Sequence, residues 1–519
     1  MKTAKDFKSP DGHDQEQIET ILVDRFSVEI EDPISEIWTF YDTFDWRLFN
    51  KLLVMKHSNE NTHLLTLSSD ENILLCSNSA PPRFAWDLPE GSSRNHLVQI
   101  IKARALLRLA ECQVKSQTYR ILNKDDKTVA RLLYTEAQSS DEGENAAFGS
   151  YLTIVPVRGY PKYARQLVRR LTLGAPVSSM PAEIYFMTLE VNGRAPGSYS
   201  NKLDLSLEPE MRADEAMKLI LRRLLEMMRA NEAGIRADVD VEFLHDFRVA
   251  VRKTRSALSQ VKKVFPEHTT AHYRHDFRWL GQITSDLRDL DVYLLAEPAY
   301  RAMLPEAIRD DVTPLFDYLK IRRTQALLEV IDGLNSQKYA TNVADWETFL
   351  NQSVSEEYAG ANAAVPIVKL ARKRIYRKYC RIIKDGTYIL THTEDELLHA
   401  LRLECKKLRY LLEFFASIFP AKKVARLIKQ LKLLLDYLGD FSDLSVQQEY
   451  LMHLTTELPV NHADTRGALV ATGFLVATMA ESQQTVKADF AQTFAAFASP
   501  ANQDQYRKLF AAKGKGKSS

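Results

Sequence analysis

The sequence predicts a two-domain α+β protein, with a β-rich N-terminal barrel followed by an all-α domain of two pseudo-symmetric helical bundles. Three observations carry this prediction. At 519 residues the chain exceeds what one ordinary hydrophobic core serves. Near residues 205–212 short β-branched and aromatic runs give way to long stretches with apolar residues every three or four positions. Within the second part, residues 244–292 repeat at 398–446 with a constant offset of 154, and 14 of the 49 columns are identical.

Taken in order, residues 1–19 are polar, lack the apolar core of a signal peptide, and are expected to be disordered. Residues 20–207 read as the β-rich domain. The runs ILVDRFSVEI, THLLTL, ENILLC, TVARLLYTEA, SYLTIVPV and EIYFMTLEV are expected strands, separated by turn-forming clusters such as LNKDDK. Helices are expected around Asn95–Cys112 and Pro161–Leu173. Residues 208–510 carry amphipathic helical patterns, among them AMKLILRRLLEMMRA, RSALSQVKKVF and VARLIKQLKLLLDYLG. The tail 511–519 is basic and expected to be disordered. Four dispersed cysteines without a CxxC suit neither a cysteine-framed zinc module nor a disulfide scaffold, and they fit a reducing cytosol. The longest mostly apolar stretch, Gly467–Ala480, is 14 residues, short of the roughly 20 that span a bilayer.

Whole-chain charge excludes little, because 69 basic residues balance 68 acidic ones. Clustering is more informative. Between Val365 and Lys384 lie eight basic residues and no acidic one, including Arg372, Lys373 and Arg377. Such a strip either concentrates a polyanion or is a solvated face balanced in space. In the first repeat His245, Arg248, Arg252 and Arg255 occur at i, i+3, i+7 and i+10, which on a helix places them within an arc of roughly 80°. His399, Arg402, Lys406 and Arg409 reproduce that ladder, Lys253 and Lys407 widen the two faces, and Arg278 keeps its charge as Lys432. Stacked cations repel one another unless an anion lies across them, and guanidinium groups grip phosphate oxygens in pairs. The competing reading is that each ladder pairs with carboxylates such as Asp286, Asp289 and Asp440 at helix interfaces.

These segments carry a resemblance. HDFRVAVRKTRSAL with FRWLGQITSDLRDLDV, and LLHALRLECKKLRYLLEFF with LLLDYLGDFSDLSV, resemble the two signatures of the CHAD family, the conserved-histidine α-helical domain. The resemblance covers roughly residues 208–510. It implies two bundle-like halves around a basic cavity that binds inorganic polyphosphate. His245, Arg248, Arg252, Arg255, His399, Arg402, Lys406 and Arg409 match the family's basic positions. Ser285 stands where the family favours Gly, and Ser442 and Ser445 replace an Arg and an Asp.

TFYDTFDWRLFNKLLVMK and YLTIVPVRGYPKYARQLVRRL are similar to segments of the CYTH family, a triphosphate-tunnel barrel. That chemistry needs an ExExK strand, because carboxylates hold the divalent metal and Lys holds phosphate. The nearest match, Glu29-Ile30-Glu31-Asp32-Pro33, has Pro in the Lys position, and Ile154 and Pro156 stand where acidic residues are expected. The domain therefore reads as degenerate.

The resulting expectation is non-catalytic polyphosphate binding by a cytoplasmic protein associated with polyphosphate granules. The binding set is His245, Arg248, Arg252, Lys253, Arg255, His399, Arg402, Lys406, Lys407, Arg409, Arg372, Lys373, Arg377 and Lys432. No cofactor, metal or catalytic residue is expected. His268, His272 and His275 lack accompanying ligands at metal spacing. The alternatives are a metal-dependent triphosphate or polyphosphate hydrolase acting through the barrel, and a nucleic-acid-binding module. The latter is disfavoured by the lack of interleaved aromatic residues for base stacking.

Overall fold

Alternation of buried and exposed residues along Leu107–Leu122 makes that segment a long strand, and the N-terminal sheet is organised around it. In the computed structural model, which describes residues 4–10, 13–69, 72–78, 80–140, 147–353, 359–392, 394–457 and 463–511, the chain forms two compact units, 1–201 and 202–519. The basic tail 512–519 lies outside the described residues.

The first unit contains β1 (Lys5–Lys8), α1 (Gln15–Arg25), β2 (Ser27–Ile30), β3 (Ile34–Asp42), β4 (Leu53–Ser58), β5 (Asn61–Thr66) and β6 (Asn72–Ser77). It continues with α2 (Ser92–Ile101), β7 (Leu107–Leu122), β8 (Thr128–Ser139), β9 (Ala147–Pro156), α3 (Pro161–Arg170) and α4 (Met180–Val191). The antiparallel ladder runs β1-β9-β8-β7-β3-β4-β5-β6, with β2 also on β7, and it curls into a half-barrel. The expected barrel is thus open: among the described residues the edge strands β1 and β6 do not pair.

Several local expectations are corrected. Residues 1–19 are not disordered throughout: β1 pairs with β9, Phe7 is buried, and α1 begins at Gln15. Buried Asp6 accepts hydrogen bonds from Thr153 Oγ1 and the Met180 amide, tying β1 to the sheet and to the start of α4. The segment Ile21–Arg25, expected as strand, closes α1, because Ile18 and Leu22 bury one face at helical spacing and Asp14 accepts from the Gln17 amide. Glu183–Val191, also expected as strand, lies in α4. Ser179 caps it, Pro181 sits in its first turn, and Ile184, Tyr185, Thr188 and Leu189 are buried at three- and four-residue steps. Conversely, the helix expected to reach Cys112 ends at Ile101, and β7 follows.

The second unit is helical throughout its described elements: α5 (Ala213–Arg236), α6 (Val241–Gln260), α7 (Glu267–Ile283), α8 (Ser285–Leu295), α9 (Glu297–Met303), α10 (Thr313–Asn335) and α11 (Gln337–Asn351). Then come α12 (Ile367–Ile389), α13 (Asp395–Phe414), α14 (Ala421–Glu457), α15 (Ala463–Ala488), α16 (Phe490–Phe497) and α17 (Pro500–Phe510). The repeat reaches beyond its aligned columns, since the starts of α5 and α12, α6 and α13, and α7 and α14 all differ by 154. One difference is local. The first copy breaks between α7 and α8 at Thr284, whereas α14 runs on through Gly439.

A cationic groove between the two repeats

On α6 the residues Phe243, Leu244, Phe247, Ala250, Val251, Ala257 and Leu258 are buried, while Arg252 is exposed and Arg255 half-buried on another face. On α13 the buried stripe is Leu398, Leu401, Cys405, Leu408 and Leu411, leaving Lys406 and Lys407 half-buried beside it. Helices α6 and α13 pack together, so the two ladders converge. From α7, Ala271, Arg274, His275 and Arg278 add a third wall at i, i+3, i+4 and i+7.

The groove so formed has a volume of about 680 Å³. Arg252, Arg255, Arg274, Arg278, Lys406 and Lys407 line it, with His275 and Tyr410, and no carboxylate is among the lining residues. Among the described residues neither Arg252, Arg255, Arg274, Arg278 nor Lys406 has a carboxylate partner within ion-pair distance. Arg255 reaches across α7, where a Cβ on Gly281 would lie 3.3 Å from its Nη1.

Burial, and after it mutual repulsion, lowers the proton affinities of Lys406 and Arg255. Burial, then Arg402 and Arg252, pulls the Lys406 ammonium down to about 8. Burial, then Arg278 and Arg274, lowers Arg255. Crowded, partly desolvated cations of this kind are stabilised by an incoming anion.

Four residues of the expected binding set therefore line the groove: Arg252, Arg255, Lys406 and Lys407. The structure places the others elsewhere. Arg248 donates from Nη1 to Gly281 O at 2.9 Å and Thr284 Oγ1 at 2.7 Å, bracing the break between α7 and α8. Burial, then Arg252, lowers its pKa to about 10. Its counterpart Arg402 donates to Asp443 at 2.8 Å. Lys253 is buried and pairs with Glu413 at 3.0 Å, and Arg409 pairs with the same carboxylate at 2.7 Å. Arg402, Lys253 and Arg409 thus pair with carboxylates, though with Asp443 and Glu413 rather than the expected Asp286, Asp289 and Asp440, while Arg248 is held by a carbonyl and a hydroxyl. Lys407 pairs with Glu404, which also takes Lys378 of α12.

His399 Nδ1 lies 3.0 Å from Ser442 Oγ, and half-buried His245 is on α6 one turn before Arg248; neither lines the groove. Arg372, Lys373 and Arg377 are exposed on α12, and Lys432 is exposed on α14, all outside the groove lining.

Arg274 and Arg278 line the groove without belonging to the expected binding set. Their signal was present in AHYRHDFR, which sets Ala271, Arg274, His275 and Arg278 on one helix face. Among the described residues no group of three or more His, Cys, Asp and Glu side chains is arranged to hold a metal.

In the half-barrel, β2 and β3 pair successively along β7, and Arg120 of β7 sits 2.9 Å from Glu29 and 3.9 Å from Glu31. The two carboxylates of the degenerate motif thus have an arginine between them. Asp42 of the YDTFD segment is fully buried and accepts from the amides of Thr43, Leu48 and Phe49, so it organises a turn. Burial raises its pKa to about 6.

The fold and groove define an α-helical, internally duplicated domain with a cationic cleft between its copies. Residues 219–452 match the family model described as the CHAD domain. The preceding half-barrel is consistent with a CYTH-like domain. Two uncharacterized proteins from two strains of Mycobacterium tuberculosis are each 26% identical over 275 residues, covering 50% of this chain and 51% of theirs. The chain spans about half the length of these curated relatives. Among solved structures, the CHAD domain from the plant Ricinus communis is similar at a TM-score of 0.47 and 24% identity, covering 56% of this chain and 94% of its own. PptA from Streptomyces chartreusis gives a TM-score of 0.43 at 14% identity, covering 55% of this chain and 99% of its own.

Proposed function

We propose that the helical unit binds inorganic polyphosphate non-catalytically in the groove between α6, α7 and α13, and that this binding directs the protein to polyphosphate granules in the cytoplasm. One observation carries the reading: cations from both repeats converge on a single cleft whose lining contains no carboxylate. Arginine forks suit phosphate oxygens, and a linear polymer of phosphates neutralises several of them together. The half-barrel serves no metal-dependent hydrolysis in this reading, because Arg120 occupies the pair Glu29 and Glu31 and Pro33 stands where a phosphate-holding Lys is needed.

The test is calorimetric titration of the full chain with long-chain polyphosphate, with single-stranded nucleic acid as competitor. Saturable binding that falls steeply with salt and resists the competitor supports the reading. Absence of binding at low salt, or displacement by nucleic acid at equal phosphate concentration, overturns it.

A further inference from the structure

The two repeats are equivalent in backbone register and unequal in charge. Position 259 of α6 is Ser, and its equivalent 154 residues on is Glu413 of α13. Ser259 lines the groove and leaves Arg255 without a carboxylate, whereas Glu413 holds both Lys253 and Arg409, the residue equivalent to Arg255. Likewise Ala250 in the first copy is replaced by Glu404 in the second, where it takes Lys407.

Helix α14 still presents exposed Lys429 and Lys432 at the positions equivalent to His275 and Arg278. A second, symmetry-related track over α14 would therefore have cations at its far edge but a neutralised floor.

We propose that Glu413 is a built-in anion that closes the groove on the α14 side, so that the bound polyanion runs one way only, from Lys406 across Arg252 and Arg255 onto Arg274 and Arg278 of α7. A carboxylate set between two cations already supplies the negative charge that a phosphate would bring, and an incoming phosphate must displace it. This inference rests on the polyphosphate reading and adds to it the ligand's direction and the end of its site.

The experiment measures affinity for long-chain inorganic polyphosphate against salt for the full chain and its variants R278Q, K429Q, E413Q and S259E. Each phosphate that a cation neutralises adds about 1 to the steepness of log K against log salt. R278Q is expected to flatten the slope by about 1 and K429Q to leave it unchanged. E413Q frees the accessible Arg409 while Lys253 stays buried, and should tighten binding severalfold and steepen the slope by about 1. S259E places a carboxylate in the open side and should weaken binding at least tenfold.

If K429Q weakens binding as much as R278Q, or if folded E413Q matches the wild type in affinity and slope, the inference is overturned. The comparison of Arg278 with Lys429 uses exposed side chains and decides the matter even if E413Q fails to fold. Wild-type protein that does not bind polyphosphate overturns the underlying reading instead, so the two failures are distinct.

Discussion

Arg252 of α6 and Lys406 of α13, equivalent residues of the two repeats, meet in one groove, where the guanidinium helps to depress the ammonium's proton affinity. Two like charges from opposite halves, brought together in a lining without a carboxylate, mark this spot as the centre of the proposed anion site. Replacing either with Gln should cost about tenfold in polyphosphate affinity, roughly the 1.4 kcal/mol of one screened charge-assisted contact. The double variant should lose less than the sum, because removing one cation also relieves the other. Titration calorimetry on the four proteins of this cycle gives the coupling directly.

Lys406 also sets an expected pH dependence. Its pKa in the free protein is about 8, and a bound polyanion raises it. Below that pH the ammonium is present in both states and binding is at full strength. As pH rises through the free-state value, binding must take up a proton, and affinity declines until the bound-state pKa is passed. Titrations near pH 9 in two buffers of different ionisation enthalpy should therefore report uptake of up to one proton, and K406R should abolish it. Unchanged uptake in K406R would assign the proton to another group.

The same residue couples function to stability. A lysine whose folded-state pKa lies below its unfolded value destabilises the fold while both states are charged, and this cost fades as pH rises from the folded to the unfolded pKa. K406M should raise unliganded stability at pH 7 by about 1–2 kcal/mol, a figure reduced for solvent screening, and should weaken polyphosphate binding. Denaturant unfolding with and without polyphosphate measures both effects.

Arg248 is expected to behave in the opposite way. Its hydrogen bonds to Gly281 O and Thr284 Oγ1 hold the break between α7 and α8, a feature α14 lacks. R248M should lower stability by about 1 kcal/mol, since the charged hydrogen bonds it loses outweigh the burial and the Arg252 repulsion that hold the Arg248 pKa down at about 10. If R248M instead keeps its stability and loses binding as R252Q does, Arg248 belongs to the ligand site.

For the first unit, millimolar Mg²⁺ or Mn²⁺ should neither raise its melting temperature nor elicit phosphate release from tripolyphosphate, because Arg120 already neutralises Glu29 and Glu31. Metal-dependent turnover by the full chain that is lost in E29Q would contradict this assignment.

What the sequence determined by itself was the duplication, the α+β division and the family resemblance. Repeats and amphipathic periods are local patterns, and an offset of 154 shared by identical residues is visible without coordinates. It also determined that α6 and α13 carry matching basic faces, because spacing along a helix fixes direction around it. Local patterns failed where tertiary burial overrode them. Glu183–Val191 is rich in β-branched and aromatic residues yet forms α4, since Ser179 and Pro181 start a helix whose one face is buried against the sheet.

Only the tertiary structure decided which cations remain available. Lys253 and Arg255 are two residues apart in one ladder, yet the first is consumed by Glu413, which comes from a helix more than 150 residues away, and the second opens into the groove. Charge balance is a property of neighbours in space, and the partner that neutralises a lysine leaves no mark on the spacing of the lysine's own helix. For the same reason Arg274 and Arg278 joined the site only when α7 folded against the junction of α6 and α13.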